Sequence, residues 1–306
     1  MTSGGNQPRP TRNDRREAAR EKAKALREGQ KKRERRNKVF IQGGIIVAVV
    51  AIGALIFTLI MQGQRPDGPG PRNMASDGIV LVGGESGIEA VETPALKPQA
   101  TPTPSVPDDS GTVANIVMYI DYLCPFCGQF EETNSESIRT MVESGAATLE
   151  VHPIAILTNK SAGTQYSLRA ANAAACVANS SPESFFDFNE LLFANQPEEG
   201  STGLTNDEIK GLTKEADVSS RSTVEKCIDD VQFKAWVQDA TNRALTSPVP
   251  NSDLESITGT PTVLVNGNQY QGSLDDPAEF QLFVLQAAGQ SFEENPTPTP
   301  TPTPAS

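Results

Sequence analysis

Residues 39–61, VFIQGGIIVAVVAIGALIFTLIM, carry no charged side chain, and this run dictates how the rest of the 306-residue chain can be organised. As a helix rising about 1.5 Å per residue it is about 34 Å long, enough to cross a hydrocarbon core of about 30 Å. A cleaved signal peptide would have an apolar stretch of about 7–15 residues followed by a small-x-small site. This run is longer, and LIMQGQRPDG offers no such site. Arg35 and Arg36 stand ahead of it, but ERRNKVF matches a twin-arginine signal poorly. The sequence therefore predicts one uncleaved transmembrane helix. Residues 1–38 hold 14 Lys and Arg against 5 Asp and Glu, whereas residues 39–306 hold 12 against 33. Basic residues flanking a span stay in the cytoplasm. The expectation is a basic cytoplasmic arm (1–38), a span (39–61) and an acidic extracytoplasmic body in the cell membrane. The arm has no aromatic residue to stack on bases, so it reads as a topology signal over anionic headgroups, with no nucleic acid as partner.

Residues 62–111 are rich in Pro, Gly and Thr and read as an extracytoplasmic linker, with a short strand possible at 78–84 (GIVLVGG). The segment 291–306 ends in NPTPTPTPTPAS, which can form neither helix nor packed core and is expected to be a disordered tail. Whether that tail carries O-linked sugars is left open. The folded body is expected over 112–290. TVANIVMYI suits a strand buried on both faces, and ATLEVHPIAIL a second strand. His152 stands at its end and reads as an exposed structural residue. TPTVLVNGNQYQG reads as a hairpin turning at Asn266-Gly267. Asp276 and Pro277 open a final helix with Phe280, Phe283, Val284 and Ala287 on one face. Residues 162–246 read as helical, with Ser181 as an N-cap before Pro182 and a capping box at Thr205 and Glu208. Phe185, Phe188, Leu192 and Trp236 sit at core spacing. The order of elements describes a small α/β sheet interrupted by a helical insertion.

DYLCPFCGQF, residues 121–130, holds two of only four cysteines. A structural zinc site needs four ligands; the chain has one histidine and no second CxxC, so no metal is expected. So short a loop is also a poor staple, because closing it removes little unfolded-chain entropy. A redox pair fits better. The strand runs into DYLC and a helix can begin at the motif, with Cys124 at its N-cap and Pro125 at its first position. Free backbone N–H groups there stabilise a thiolate and lower the pKa of Cys124. Cys127, about one turn on, would resolve mixed disulfides formed at Cys124.

DYLCPFCGQF, the helical block, and GTPTVLVNG about 135 residues later together resemble the DsbA-like thiol–disulfide oxidoreductases of the thioredoxin-fold superfamily, in the membrane-anchored layout of Gram-positive bacteria. The resemblance covers about 112–288. It implies a thioredoxin-like α/β fold with an inserted helical domain. It also implies a redox pair Cys124–Cys127, a cis-proline at Pro261, and Thr260 facing the active-site sulfur, its backbone pairing with extended substrate. Exported proteins with free thiols would be the substrates, and a DsbB- or VKOR-like membrane protein the reoxidant. No soluble cofactor is needed. Two departures stand out. Phe126 occupies a position where some members carry a thiolate-stabilising histidine. Met118 stands where thioredoxin-type members bury an acid, leaving Asp121 either to relay protons to Cys127 or to bind local backbone N–H groups. With the redox pair assigned, Cys176 and Cys227 remain as a structural disulfide or as two buried thiols. A reductase or isomerase would use the same cysteines; a non-catalytic envelope module would need neither.

Overall fold

A strand rich in β-branched residues and buried on both faces must lie inside a sheet, and that is where residues 114–120 fall. The computed structural model describes residues 68–294, apart from 86 and 109–111, with side chains described up to 289. The expected basic arm, transmembrane helix and Thr-Pro repeat lie outside these residues. Among the described residues no helix is long and apolar enough to cross a membrane. The strands are β1 (Ile79–Gly84), β2 (Gly87–Ala90), β3 (Ala114–Ile120), β4 (Ala147–Pro153), β5 (Thr262–Val265) and β6 (Asn268–Gln269). They form one sheet in the order β2-β1-β4-β3-β5-β6. Only β3 and β4 pair in parallel, which requires a crossover; helix α1 (Pro125–Glu143) supplies it.

Ile116, Met118 and Ile120 of β3 enter the main core with Phe130, Ile138 and Val142 of α1. Phe280, Val284 and Ala287 join them from the last of the described helices. Tyr119 points the other way, packing with Ile154, Val249, Ile257 and Leu264. Between β4 and β5 come α2 (Tyr166–Ser180), α3 (Phe185–Ala194), α4 (Asn206–Glu215), α5 (Arg221–Asp230) and α6 (Lys234–Thr246). The alanines of α2 are all buried, and their small size lets the neighbouring helices close around it. Phe185, Phe188, Leu192 and Trp236 are buried as the spacing indicates. Asn266 (φ 48°) and Gly267 (φ 78°) both adopt positive φ, as a type I′ turn requires. The Thr205–Glu208 capping box is present. The last helix, α7 (Pro277–Glu294), begins with Asp276 accepting from the N–H groups of Ala278 and Glu279.

Several expectations are corrected. The described part of the expected linker is packed onto the body. Met74 is fully buried, Thr103 N–H donates to the Ala75 carbonyl, and both carboxylate oxygens of Asp77 meet Arg243 at 2.6 and 2.8 Å. The strand at 78–84 gains a partner, β2, within that region. Helix α7 runs four residues into the segment 291–306 that was expected to be disordered. Ser181 stands at the N-cap position before Pro182, as expected, but its side chain makes no cap bond; its hydroxyl accepts from Ser220 N–H at 3.0 Å, and Pro182–Ser184 is a single 3-10 turn leading into α3. His152 is buried rather than exposed. Its ring stacks on Tyr119 at 4.3 Å, and Nε2 lies 3.1 Å from Glu150. A Cβ at Gly78 would come within 2.7 Å of that nitrogen, so glycine is what lets the segment cross the ring.

Cys176 and Cys227 form a disulfide joining α2 to α5, with Cα atoms 5.9 Å apart and a sequence separation of 51. Loop-closure entropy puts its contribution at about 4 kcal/mol. Replacing both residues by alanine should lower unfolding free energy by up to that amount in urea titrations, while thiol exchange at low temperature persists. An unchanged urea midpoint would refute the stabilising role.

Candidate active site

The turn from β3 into α1 is built by Asp121. Its Oδ1 accepts from Leu123 N–H at 2.9 Å; its Oδ2 accepts from Leu157 N–H at 2.9 Å and the Ser167 hydroxyl at 2.7 Å. Burial pushes its pKa up, and these hydrogen bonds oppose that shift. Of the two readings open from sequence, the structure realises the backbone-binding one. Cys124 follows as the helix N-cap, extended at φ −75°, ψ 117°, with Pro125 filling the first helical position. Its carbonyl accepts from the N–H groups of Cys127 at 3.0 Å and Gly128 at 3.2 Å.

The Thr260–Pro261 bond is cis. It leads into β5, which pairs with β3 so that Tyr119 stands opposite Thr262. This register carries Thr260, 136 residues away, to the catalytic turn, where the Cys124 thiol donates to its carbonyl at 3.1 Å. The structure thus brings Asp121, Cys124, Pro125, Phe126, Cys127, Thr260 and Pro261 together, and leaves Cys176 and Cys227 within the insertion. Both Cys124 and Cys127 are free thiols. Cys124 keeps 5 % of its surface, Cys127 none, and Phe126 between them is 60 % exposed.

The two thiols are electrostatically unequal. The Cys127 thiol hydrogen-bonds to Cys124 and, against the cost of burial, brings the Cys124 pKa down to about 6 with help from the N–H groups of Cys127 and Phe126. Burial pushes Cys127 well up, and proximity to Cys124 adds to that shift. The helix start contributes as the sequence indicates, but the partner thiol contributes more.

Two residues near the site were missed. Burial raises Glu131 to about 7, offset in part by the Asn189 amide. Asn189 donates to Glu131 at 3.0 Å and accepts from the Tyr122 hydroxyl at 2.9 Å. Glu131 lies four residues after Cys127 and seven before Ile138, so helical spacing could have placed it on the buried face. Gln196, from the loop after α3, donates to the carbonyls of Tyr122 at 3.1 Å and Cys124 at 2.9 Å; no sequence signal marks it.

The model of a family described as thioredoxin matches residues 109–284. DsbA from Mycobacterium tuberculosis is 26 % identical in sequence, with 72 % of this chain and 99 % of that one covered and a TM-score of 0.49. BdbD from Bacillus subtilis, in its oxidised form, shares the fold at 20 % identity and a TM-score of 0.50, with 73 % and 99 % covered. MdbA from Actinomyces oris is 20 % identical, covering 57 % and 82 %, with a TM-score of 0.47. Among curated proteins, Na(+)/H(+) antiporter NhaA 1 of Salinispora arenicola (strain CNS-205) is 28 % identical over 165 residues, 52 % of this chain. The match spans 21 % of the antiporter, about a fifth of its length.

The pKa difference has a measurable sign. Cys124 titrates at about 6 in the folded dithiol against an ordinary 9.0. Its contribution to the stability of the reduced fold is therefore full above about 9 and is lost as pH falls through about 6. Ultraviolet thiolate absorbance of the reduced protein should rise with a midpoint near 6, in one step belonging to Cys124. A first step at the ordinary thiol value would contradict this geometry.

Proposed function

The chain belongs to the thioredoxin family and is an oxidoreductase of its DsbA-like thiol–disulfide class, and we propose that it introduces disulfides into exported proteins from the outer face of the cell membrane. The observation that carries this direction of electron flow is the inequality of the thiols. A low pKa at Cys124 stabilises the dithiol state, and a pair whose reduced form is stabilised is an oxidant in its disulfide form.

The exchange begins from the Cys124–Cys127 disulfide. A substrate thiolate attacks Cys124 Sγ, a new S–S bond forms, and Cys127 leaves as a thiolate. Its raised pKa makes it take up a proton readily. A second substrate thiolate attacks the substrate sulfur of the mixed disulfide and expels Cys124 as a stabilised thiolate. The substrate has lost two electrons, and the pair holds them as thiolate and thiol. Phe126 offers an exposed apolar surface to an unfolded chain, and in this reading the backbone at Thr260 pairs with an extended substrate segment. Metal and soluble cofactor have no part in these steps.

Under this reading the uncharged run 39–61 anchors the protein, the basic arm stays in the cytoplasm, and a DsbB- or VKOR-like membrane protein reoxidises the pair. Cys124→Ser should abolish oxidation of a reduced test protein, whereas Cys127→Ser should accumulate mixed disulfides through Cys124. Full oxidase activity in the Cys124→Ser protein would refute the assignment. Topology is tested separately. Protease added to intact cells should digest the acidic body and spare an epitope at the N-terminus; the reverse pattern would remove the protein from the exported pathway.

A further inference from the structure

The carbonyl that opens α1 accepts three hydrogen bonds. Two come from the helix itself, and the third is the Gln196 side-chain amide at 2.9 Å. The same nitrogen reaches the Tyr122 carbonyl at 3.1 Å. An amide NH2 has two hydrogens to give, so one side chain ties down the carbonyls on either side of Leu123. Gln196 belongs to the helical insertion, 72 residues from Cys124. Its own position is set locally: its N–H donates to the Phe193 carbonyl at 3.0 Å, and the Phe193 ring packs 5.0 Å from that of Tyr122.

Gly128 makes room for it. A Cβ there would lie 2.3 Å from Gln196 Oε1 and 3.1 Å from its Cδ. Gly128 lies within α1 and is not among the glycines with positive φ, so the backbone does not call for glycine. Inside a helix glycine costs about 1 kcal/mol relative to alanine. Close approach of the amide is what the position needs.

We propose that Gln196 is a positioning residue of the redox centre, a clamp from the helical insertion that holds the Cys124 backbone, and that Gly128 is glycine in order to admit it. The proposal rests on the thiol–disulfide reading of the pair and adds a residue to it. Neutral donors hold the Cys124 sulfur: the Cys127 thiol and the N–H groups of Cys127 and Phe126. They act on it only while the Cys124 backbone keeps its extended N-cap conformation. Without the clamp residues 122–124 relax, the donors lose alignment, and the thiolate is less stabilised. The dithiol is then less favoured and the pair a weaker oxidant.

The test compares full-length parent protein, Gln196→Ala, Gly128→Ala and the double variant, purified in detergent and reduced. Gln196→Ala should raise the Cys124 titration midpoint by about half a unit, roughly threefold in the thiol–thiolate equilibrium. It should also shift the equilibrium with glutathione toward the protein disulfide. Gly128→Ala should do the same by displacing the amide, and should add nothing once Gln196 is gone. Parent values in both single variants, even with lowered thermal stability, would overturn the clamp and leave the function standing. A full Gly128→Ala effect in the double variant would overturn it as well, since the glycine would then act without Gln196. An ordinary thiol titration in the parent protein would overturn clamp and functional reading together.

Discussion

The redox centre depends on the pairing of β3 with β5. Cys124 is the end product of β3, and Thr260 and Pro261 are what immediately precedes β5. Nothing local joins them: the whole of β4 and the helical insertion lies between. Antiparallel pairing with Tyr119 opposite Thr262 brings them together, and a slip of one residue would turn each side chain of β5 to the wrong face. The register is protected because both faces of β5 are in use. Val263 and Val265 enter the main core, and Leu264 enters the second cluster with Tyr119 and Ile154. The Asn266-Gly267 turn then folds β6 back along it.

The far side of the sheet is held in a different manner. Segments without regular structure, on either side of β1 and β2, are fastened by buried polar groups. Glu150 accepts from the hydroxyls of Ser76 and Ser105, each at 2.5 Å, and faces His152. Burial alone would raise its pKa; His152 and the two serines outweigh burial and bring it down to about 2. A buried carboxylate is tolerable when its oxygens are satisfied in this way. Asp77 and Arg243 do the same between the first of these segments and α6. The sheet is thus gripped by its N-terminal segment through specific bonds as well as by apolar burial.

This contrast explains what could be read in advance. Features that act within a few residues were legible: the N-cap position of Cys124 with Pro125, the Asn-Gly turn, the Thr205–Glu208 box, the Asp276–Pro277 helix start, and the buried strand ahead of the motif. So was the relation of CPFC to the Thr-Pro pair, through family resemblance. What stayed hidden depends on partners distant in sequence. Pro/Thr-rich composition reads 93–111 as extended and solvated, and it carries no sign that Ser105 would meet a buried glutamate. Ser181 has the composition of a cap, yet Ser220 claims its hydroxyl. His152 looks exposed, yet the Tyr119 ring stacks on it and the backbone at Gly78 crosses it. Gln196 is an ordinary loop glutamine whose only mark is the space left for it at Gly128, one of 24 glycines in the chain.

Phe126 gives the centre a further property. With a histidine between the cysteines, a positive charge would help hold the thiolate. Here a pKa of about 6 at Cys124 rests on neutral donors, set against burial. A charge acts over several ångströms and is screened by salt, whereas a hydrogen bond weakens steeply with distance and misalignment. The redox balance of this pair is therefore tied to backbone geometry: to Asp121 holding the turn and to the helix start at Pro125. Nearby carboxylates would destabilise the thiolate, and the acidic body keeps them at a distance or tied down. Asp121 is held by two N–H groups and a hydroxyl, and Glu131, at about 7, is largely uncharged below neutrality. A site of this kind keeps its thiolate stabilised only so long as it is rigid. That requirement gives a physical reason for a disulfide within the insertion that packs against the active-site turn.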